Sequence, residues 1–301
     1  MKIFCQSLPK LELHAHLNGS LSPETLKKLY KLQNPNASDN NDVIMSVDNL
    51  SSCFKVFEIA HSLTTTPEAV FIGTCETVKE FCEENVIYLE LRSTPRNVCL
   101  SISEECPNIT TKLLISVDRK QGLEAAEENI ELAIKYINKY PEYVVGIDLS
   151  GDPMKGDAFI ESLKKARQAG LRIAAHCAEV PNETETFDIL SFKPDRLGHC
   201  TCIHPSLQEL CLTSNIKCKT VANYEVHQFK FLYEANHPVI IVGVFNVSLS
   251  SELEVVASTF HLEQEQIRKL CVSSIDFAPK SQSNMTKVQH CVPSRAFDSY
   301  L

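Results

Sequence analysis

The chain has 301 residues, a net charge of −9 and a hydrophobic fraction of 44%, which is normal for a protein with a packed core. The acidic side chains are dispersed, and a surface that binds nucleic acid would need a basic patch instead. The longest apolar run, residues 239–247, is about half as long as a membrane span.

Cysteine usage and the first residues bear on the cellular compartment. The 13 cysteines have no regular spacing, and a chain of this length does not need disulfides for stability. No apolar run precedes Pro9, so we see no signal peptide. We therefore expect a cytoplasmic protein with mostly reduced thiols. We also expect it to be a monomer that contacts neither a membrane nor a nucleic acid polymer.

Eight short apolar segments rich in β-branched residues are predicted as strands. Their continuous apolar character suits a sheet that is buried on both faces. In chain order these segments are residues 11–16, 86–92, 112–117, 143–149, 171–175, 196–199, 209–212 and 239–242.

Predicted helices lie between several of these strands. They cover residues 67–84, 123–139 and 157–168, and two more helices are expected within 251–275. Alternating strands and helices indicate parallel βαβ units, and eight strands indicate a TIM-type (β/α)8 barrel. We expect a single domain over 1–301, with 276–301 as an irregular C-terminal tail.

Two connections are short for this architecture. A parallel pair of strands needs a connection of about a dozen residues or more, which usually contains a helix. The connections after residues 92 and 199 leave little room for one, since prolines and polar residues interrupt them. The barrel is therefore expected to be incomplete, with helical material missing after strands 2 and 6.

The first candidate site residues are His14 and His16 at the end of the first strand. Side chains alternate along a strand, so both imidazoles point to the same side and can chelate zinc. In a barrel, the carboxyl ends of the strands hold the active site. Taken alone, the pair is more typical of partly exposed histidines in a loop.

Histidines follow two further strands. His176 comes directly after the fifth strand, and Glu179 lies three residues later, where a carboxylate beside a metal-bound water can transfer protons. The alternative for Glu179 is a carboxylate that stabilises a helix N-terminus. His199 ends the sixth strand. Three histidine sites at three strand ends favour a metal centre.

Six motifs in this order resemble the adenosine deaminase family of zinc amidohydrolases, and in particular its branch that acts on N6-methylated AMP. The motifs are Leu13-His14-Ala15-His16-Leu17-Asn18-Gly19-Ser20, Glu90-Leu91-Arg92-Ser93-Thr94-Pro95-Arg96, Ile147-Asp148-Leu149-Ser150-Gly151-Asp152-Pro153, His176-x-x-Glu179, Arg196-x-Gly198-His199 and Leu212-Thr213-Ser214-Asn215.

The resemblance implies a role for each matching residue. His14, His16 and His176 would bind one Zn²⁺ ion, and His16 would also contact the substrate. Glu179 would donate a proton to the purine ring, and His199 would help to deprotonate or orient the water. Gly151 would bind the base through its backbone.

The expected substrate is a purine nucleotide or nucleoside. Arg96 can clamp a phosphate, with Ser93, Thr94 and Pro95 beside it, although a surface salt bridge is the alternative for Arg96. Asn18 replaces the acidic residue that adenosine deaminases carry there, and a neutral amide does not repel a 5′-phosphate. The resemblance also implies substrate contacts for His61 and Asp118.

The chain departs from the family at the end of the last strand. The resemblance implies an Asp-Asp pair there, but residues 237–245 contain no aspartate. Cys200-Thr201-Cys202 with His204 could in principle supply a substitute metal ligand, but Cys-x-Cys is common in a cysteine-rich chain and a chance occurrence is favoured. Together with the two short connections, this loss is typical of a spliced or mis-assembled gene product, or of a paralogue that has decayed.

Three hypotheses follow from the sequence. The first is an aminohydrolase that converts N6-methyl-AMP to IMP, or deaminates adenosine. The second is an impaired or inactive relative that binds a purine nucleotide or a partner. The third is a different amidohydrolase on the same fold, since barrels support many reactions.

Overall fold

A computed structural model describes residues 1–36, 50–94, 106–201, 208–243 and 247–278. It contains one sheet of eight strands, in which each strand pairs in parallel with the next along the chain. The strands are β1 Lys10–His16, β2 Val86–Ser93, β3 Thr110–Asp118, β4 Val144–Ser150, β5 Arg172–Cys177, β6 Arg196–His199, β7 Gln208–Leu210 and β8 Val239–Ile241.

The sheet curls into a nearly closed barrel. Side chains of β1 and residues from the end of β8 share a buried cluster that includes Leu13 and Val242. Glu12, which is fully buried on β1, accepts hydrogen bonds from the backbone N–H of His14 at 2.8 Å and of Gly243 at 2.9 Å. This carboxylate therefore joins the first strand to the segment that follows the last one.

All eight predicted strands are confirmed to within a few residues. At β7 the strand ends at Leu210, two residues earlier than predicted, because Leu212 begins a helix instead of ending the strand. Continuous burial of β1, β2 and β4 agrees with a sheet covered on both faces.

Helices surround the sheet. They are α1 Lys2–Ser7, α2 Pro23–Gln33, α3 Leu50–Leu63, α4 Pro67–Glu83, α5 Gly122–Lys139, α6 Ile160–Gln168, α7 Glu183–Phe192, α8 Leu212–Lys217, α9 Phe229–Glu234, α10 Leu249–Phe260 and α11 Gln264–Ser273.

The predicted helices are confirmed as α4, α5, α6, α10 and α11. Sequence analysis placed no helix at α2 or α7, although each has a recognisable start. The Ser22 side chain accepts a hydrogen bond from the Thr25 backbone before α2, and Asn182 does the same for Glu185 before α7. These are ordinary N-cap contacts.

The two short connections differ in what the structure describes. Only residues 200–207 join β6 to β7, fewer than a connection with a helix between parallel strands needs. Between β2 and β3, residues 95–105 lie outside the described part of the chain, as do 279–301 of the expected tail. A 3₁₀ helix, Ser274–Phe277, takes up the first residues of that tail.

Two further features concern the exterior and the thiols. In the described ranges, no helix is both long enough and apolar enough to cross a membrane. The cysteines whose side chains the structure describes are free thiols, and most of them are buried.

Candidate metal centre and active site

Three histidines from β1 and β5 converge at the carboxyl end of the barrel. His16 Nε2 lies 3.2 Å from His14 Nε2 and 3.1 Å from His176 Nε2. Two nitrogens that each lie about 2.0–2.1 Å from a tetrahedral zinc ion are about 3.3 Å apart. The spacing of the three nitrogens therefore fits a single metal ion.

Hydrogen bonding and burial prepare these rings for metal binding. The Nδ1–H of His176 donates to the Leu149 carbonyl at 2.8 Å, which leaves the Nε2 lone pair facing the other two rings. Burial lowers the pKa of His16 to about 3 and moves the pKa of His14 well below its usual value. Both rings are therefore neutral, as metal ligands must be.

Asp148 on β4 lies behind the histidine cluster. Its carboxylate is 3.3 Å from His176 Nδ1 and 3.8 Å from His16 Nδ1. Burial is the largest influence on His176 and by itself would lower its pKa, but the charge of Asp148, its hydrogen bond and the charge of Glu179 together raise it. This carboxylate orients the outer nitrogen of a ligand, as carboxylates behind metal-binding histidines commonly do.

A buried ion pair holds Asp148 in place. Arg92 on β2 donates to the Asp148 carboxylate at 2.8 Å and to the Leu13 carbonyl at 2.7 Å, and both charged side chains are fully buried. Burial opposes ionisation, yet the Arg92 guanidinium and the His176 ring keep the pKa of Asp148 well below its usual value. Sequence analysis assigned neither residue a role, although charged residues inside buried strands are a recognisable signal.

Glu179 and His199 face each other beside the histidines. His199 Nε2 lies 3.8 Å from Glu179 Oε2, and both side chains are about one-tenth exposed. The backbone between His176 and Glu179 turns at Ala178, whose φ is +50°, and His199 has a φ of +61°. Non-glycine residues rarely adopt this conformation, and functional sites often contain such strain.

Two predicted substrate residues, Asp118 and Gly151, touch each other at the ends of β3 and β4. Gly151 has a φ of +100°, and a Cβ atom there would come within 2.2 Å of an Asp118 carboxylate oxygen. Only glycine allows this approach. Burial raises the pKa of Asp118, while the Lys120 backbone N–H donates to its carboxylate.

The remaining predicted contacts lie in the 3₁₀ turn Leu17–Gly19 after β1, on α3 and at the end of β2. The Asn18 amide donates to the Thr64 hydroxyl at 2.9 Å, which fixes its direction beside His61 on α3. The Ser93 hydroxyl donates to the Thr94 carbonyl. Pro95, Arg96, Cys202 and His204 lie outside the described residues.

One cavity brings together every predicted site residue that the structure describes. Sequence analysis missed further residues of its lining, including Phe57, Lys120 and Ser214. The predicted residues that line it are His14, His16, Asn18, His61, Ser93, Thr94, Asp118, Gly151, His176, Glu179 and His199.

Behind His199 lies a pair of polar residues that sequence analysis assigned no role. Asn215 belongs to a quoted motif, and its side-chain amide contacts His199 Nδ1 at 3.1 Å. The same amide contacts His227 Nε2 at 3.0 Å. The signal for these two residues was weak, because an asparagine near the start of a short helix and a lone histidine are usually structural.

The end of β8 contributes no carboxylate, because Val242 and Gly243 follow directly after Ile241. A thiol lies nearby instead: the Cys211 sulfur is within 4.8 Å of ring nitrogens of both His14 and His199. The proposed substitute Cys200 is buried, and its thiol donates to the Gly198 carbonyl.

Comparison with known proteins agrees with this geometry. The family model described as "Adenosine deaminase" matches residues 9–292. The chain is 40% identical to N6-Methyl-AMP deaminase of Bos taurus, with 93% of this chain and 92% of the bovine protein covered. That alignment spans 325 positions, more than the 301 residues of this chain, so the relative has segments that this chain lacks.

Solved structures agree as well. A crystal structure of Arabidopsis ADAL complexed with IMP superposes with a TM-score of 0.86 at 33% identity and covers 100% of both chains. A second crystal structure, of Arabidopsis ADAL complexed with GMP, has a TM-score of 0.85 at 34% identity, covering 99% of this chain and 98% of the other.

Proposed function

The chain belongs to the adenosine deaminase family, and we propose from this that it catalyses the hydrolytic deamination of N6-methyl-AMP. One observation carries the proposal. Three imidazoles, with His16 Nε2 about 3 Å from Nε2 of each of the other two, face one cavity at the carboxyl end of the barrel together with a carboxylate and a fourth histidine. This is the constellation that hydrolysis of a purine C–N bond requires.

The histidine cluster fits a divalent cation, most simply zinc. His14, His16 and His176 would hold it, because each presents Nε2 to the same point and tetrahedral zinc accepts three imidazoles with one open position. A zinc ion there would make a water molecule acidic enough to lose a proton near neutral pH, which turns it into a nucleophile for the purine carbon.

The residues around the cluster account for the rest of the reaction. The water oxygen would form a bond to C6 of the purine, and the bond between C6 and the exocyclic nitrogen would break, which yields IMP. Glu179 would donate a proton to the ring nitrogen beside C6. Of the two protons of the water, one would leave with methylamine and the other would restore the Glu179 carboxyl group. The backbone of Gly151 would bind the base, and His199 would contact the attacking water.

The cavity also supports a nucleotide over a nucleoside as the substrate. Asn18 is neutral and held by Thr64, so it does not repel a 5′-phosphate. Lys120, which is about half exposed, adds a positive charge to the cavity lining. Arg96 is the proposed phosphate clamp, beside Ser93 and Thr94. Relatives that are N6-methyl-AMP deaminases, and neighbours bound to IMP and GMP, favour the same substrate class.

A second function has a specific observation in its favour. No carboxylate follows β8, so an enzyme of this design lacks a group that would aim the attacking water. Misplacing a reacting atom by about 1 Å can reduce a rate ~100-fold. The alternative is therefore a protein that binds metal and purine nucleotide with little or no turnover.

One experiment separates the two functions. Purified protein loaded with zinc is incubated with N6-methyl-AMP, AMP and adenosine, while IMP, inosine and methylamine are measured. We expect IMP and methylamine from N6-methyl-AMP, and slower reaction with adenosine. If the protein binds zinc and IMP but forms no product, the enzymatic function is wrong and the protein is a binding protein.

Two variants serve as controls. Glu179→Gln should abolish turnover, because it removes the proposed proton donor. It should still bind zinc, because the Glu179 carboxylate faces His199 and does not belong to the group of three histidines that would hold the ion. Arg96→Ala should raise KM for the nucleotide far more than KM for adenosine. Equal effects on both substrates would contradict the phosphate clamp.

A further inference from the structure

A buried chain of hydrogen bonds leads from the start of α9 to the active-site histidine. The Phe229 backbone N–H donates to His227 Nδ1 at 3.1 Å. Phe229 is the first residue of α9, where backbone N–H groups lack partners within the helix, so the imidazole satisfies one of them. His227 is 2% exposed, and burial lowers its pKa to about 4.

This first contact fixes the protonation of His227. A backbone N–H can only donate, so His227 Nδ1 must carry a lone pair. A neutral imidazole has one protonated nitrogen, which is therefore Nε2. His227 Nε2–H then donates to the side-chain amide of Asn215, 3.0 Å away.

The orientation of the Asn215 amide follows from this donor. The structure positions the amide nitrogen toward His227 and the oxygen toward His199. In that orientation two donors would meet at His227 Nε2. The two amide atoms are nearly isosteric, and hydrogen-bond partners decide which is which. The oxygen therefore faces His227, and the amide NH₂ donates to His199 Nδ1.

The same logic fixes the tautomer of His199. With a lone pair on Nδ1, its neutral ring carries the proton on Nε2, the atom that faces the active site. That atom lies 3.8 Å from Glu179 Oε2, and an N–H group suits a carboxylate where a lone pair would repel it. Two independent neighbours, one on each side of the ring, therefore favour the same tautomer.

We propose that Asn215 and His227 are positioning residues that hold His199 as an Nε2–H donor aimed at the attacking water. The proposal rests on the proposed function, because it assigns the contact that His199 makes there. In this tautomer His199 orients the water oxygen and cannot accept its proton at Nε2. Of the two roles that the family resemblance leaves open for His199, orientation is therefore selected over deprotonation.

The test reads the tautomers directly. The full chain is loaded with zinc and labelled with ¹⁵N-histidine, and long-range ¹H–¹⁵N spectra distinguish protonated from unprotonated ring nitrogens. Signals are assigned by their loss in His199→Gln and His227→Gln. We expect both rings as Nε2–H tautomers. An Nδ1–H tautomer of His199 in the unmodified chain would overturn the proposal.

Asn215→Asp supplies the perturbation. A carboxylate has nearly the shape of the amide but only accepts hydrogen bonds, so it draws the His199 proton to Nδ1. We expect the His199 nitrogen shifts to exchange, and kcat to fall at least ~10²-fold with little change in KM. We call the hydrogen-bond chain from His227 through Asn215 to His199 the relay. Unchanged ¹⁵N chemical shifts of His199 in this variant would also contradict the relay.

A matched control exists next to the relay. Gln228 donates to the His199 backbone carbonyl at 3.1 Å and makes no contact with the relay's ring nitrogens. Gln228→Ala should therefore leave the His199 tautomer unchanged. Activity and the His199 tautomer are measured separately, so the two proposals can fail separately. An inactive protein whose His199 is the Nε2–H tautomer would refute only the deaminase function. An active protein with an Nδ1–H His199 refutes only the relay.

Discussion

Gly198 on β6 is the residue on which the position of His14 depends most directly. A Cβ atom at Gly198 would lie 2.9 Å from His14 Cε1, closer than two carbons normally approach. His14 is fully buried, and a displaced ring would move its nitrogen away from that of His16 in the cluster. We expect Gly198→Ala to lower zinc affinity by about 10- to 100-fold, as other changes around metal ligands do. Competition with a chromophoric chelator measures this affinity.

The matched control is Gly73→Ala on α4. There the added methyl group would meet the flexible end of Leu21 at 3.1 Å, far from the histidine cluster. Zinc affinity should stay unchanged in this variant. If Gly198→Ala also binds zinc normally while remaining folded, His14 is less confined than its packing indicates.

Among single residues, the three candidate metal ligands were easier to predict from the sequence than the residues that hydrogen-bond to them and orient them. His14, His16 and His176 follow strands in a pattern with few alternatives, so the cluster was predictable. Asp148 and Asn215 were visible within motifs but had no assignable role, because their partners come from distant parts of the chain. Arg92 and Asp148 are separated by 56 residues, and only the closed barrel brings them together.

Between elements, Glu252 on α10 links two helices through a buried carboxylate. Both of its oxygens accept from the Thr213 backbone N–H near the start of α8, at 3.1 and 3.3 Å. Burial raises the pKa of Glu252 from 4.5 to about 7. The folded protein therefore keeps this proton over a pH range in which the unfolded chain has already lost it.

The sign of the pH effect follows from that difference. Between about pH 4.5 and 7 the folded state binds more protons, so the free energy of unfolding falls as pH rises. Glu252→Gln retains an acceptor oxygen and does not titrate. We expect it to remove this pH dependence and to add up to ~3 kcal/mol of stability at pH 8. Urea denaturation between pH 4.5 and 8 measures both.

Glu234→Gln, at the exposed end of α9, provides the comparison. It should leave the pH profile of stability unchanged. A Glu252→Gln variant that is less stable than the parent at pH 8 would show that the charged form is required at the start of α8.

Elements were predictable where periodicity and end signals agreed. The 17 residues of α4 begin with Pro67 and repeat apolar residues at helical spacing, so its bounds were predicted to within one residue. Helix α7 has a weak amphipathic pattern, and only its Asn182 cap marks the start. The three-residue strands β7 and β8 were still predictable, because short apolar runs located each of them to within two residues.

At the scale of the whole molecule, the histidine cluster brings together side chains from opposite sides of the barrel. His14 and His16 belong to β1, and His176 belongs to β5, which lies four strands away in the sheet order. A single ion would therefore tie opposite sides of the barrel together. This tie matters more here than in a complete barrel, because only the eight residues 200–207 connect β6 to β7, fewer than a parallel connection usually has.

This geometry predicts that zinc stabilises the entire fold. An ion that binds only the folded state adds about 2.7 kcal/mol when its free concentration is 100 times Kd. Thermal denaturation with and without a chelator should therefore show a shift of several degrees. His176→Gln should remove most of that shift, because it leaves only the two ligands on β1. His261→Asn changes an exposed histidine whose φ of +55° suits asparagine, and it should preserve the full shift. If zinc raises the Tm of both variants equally, the ion binds elsewhere and the barrel closes without it.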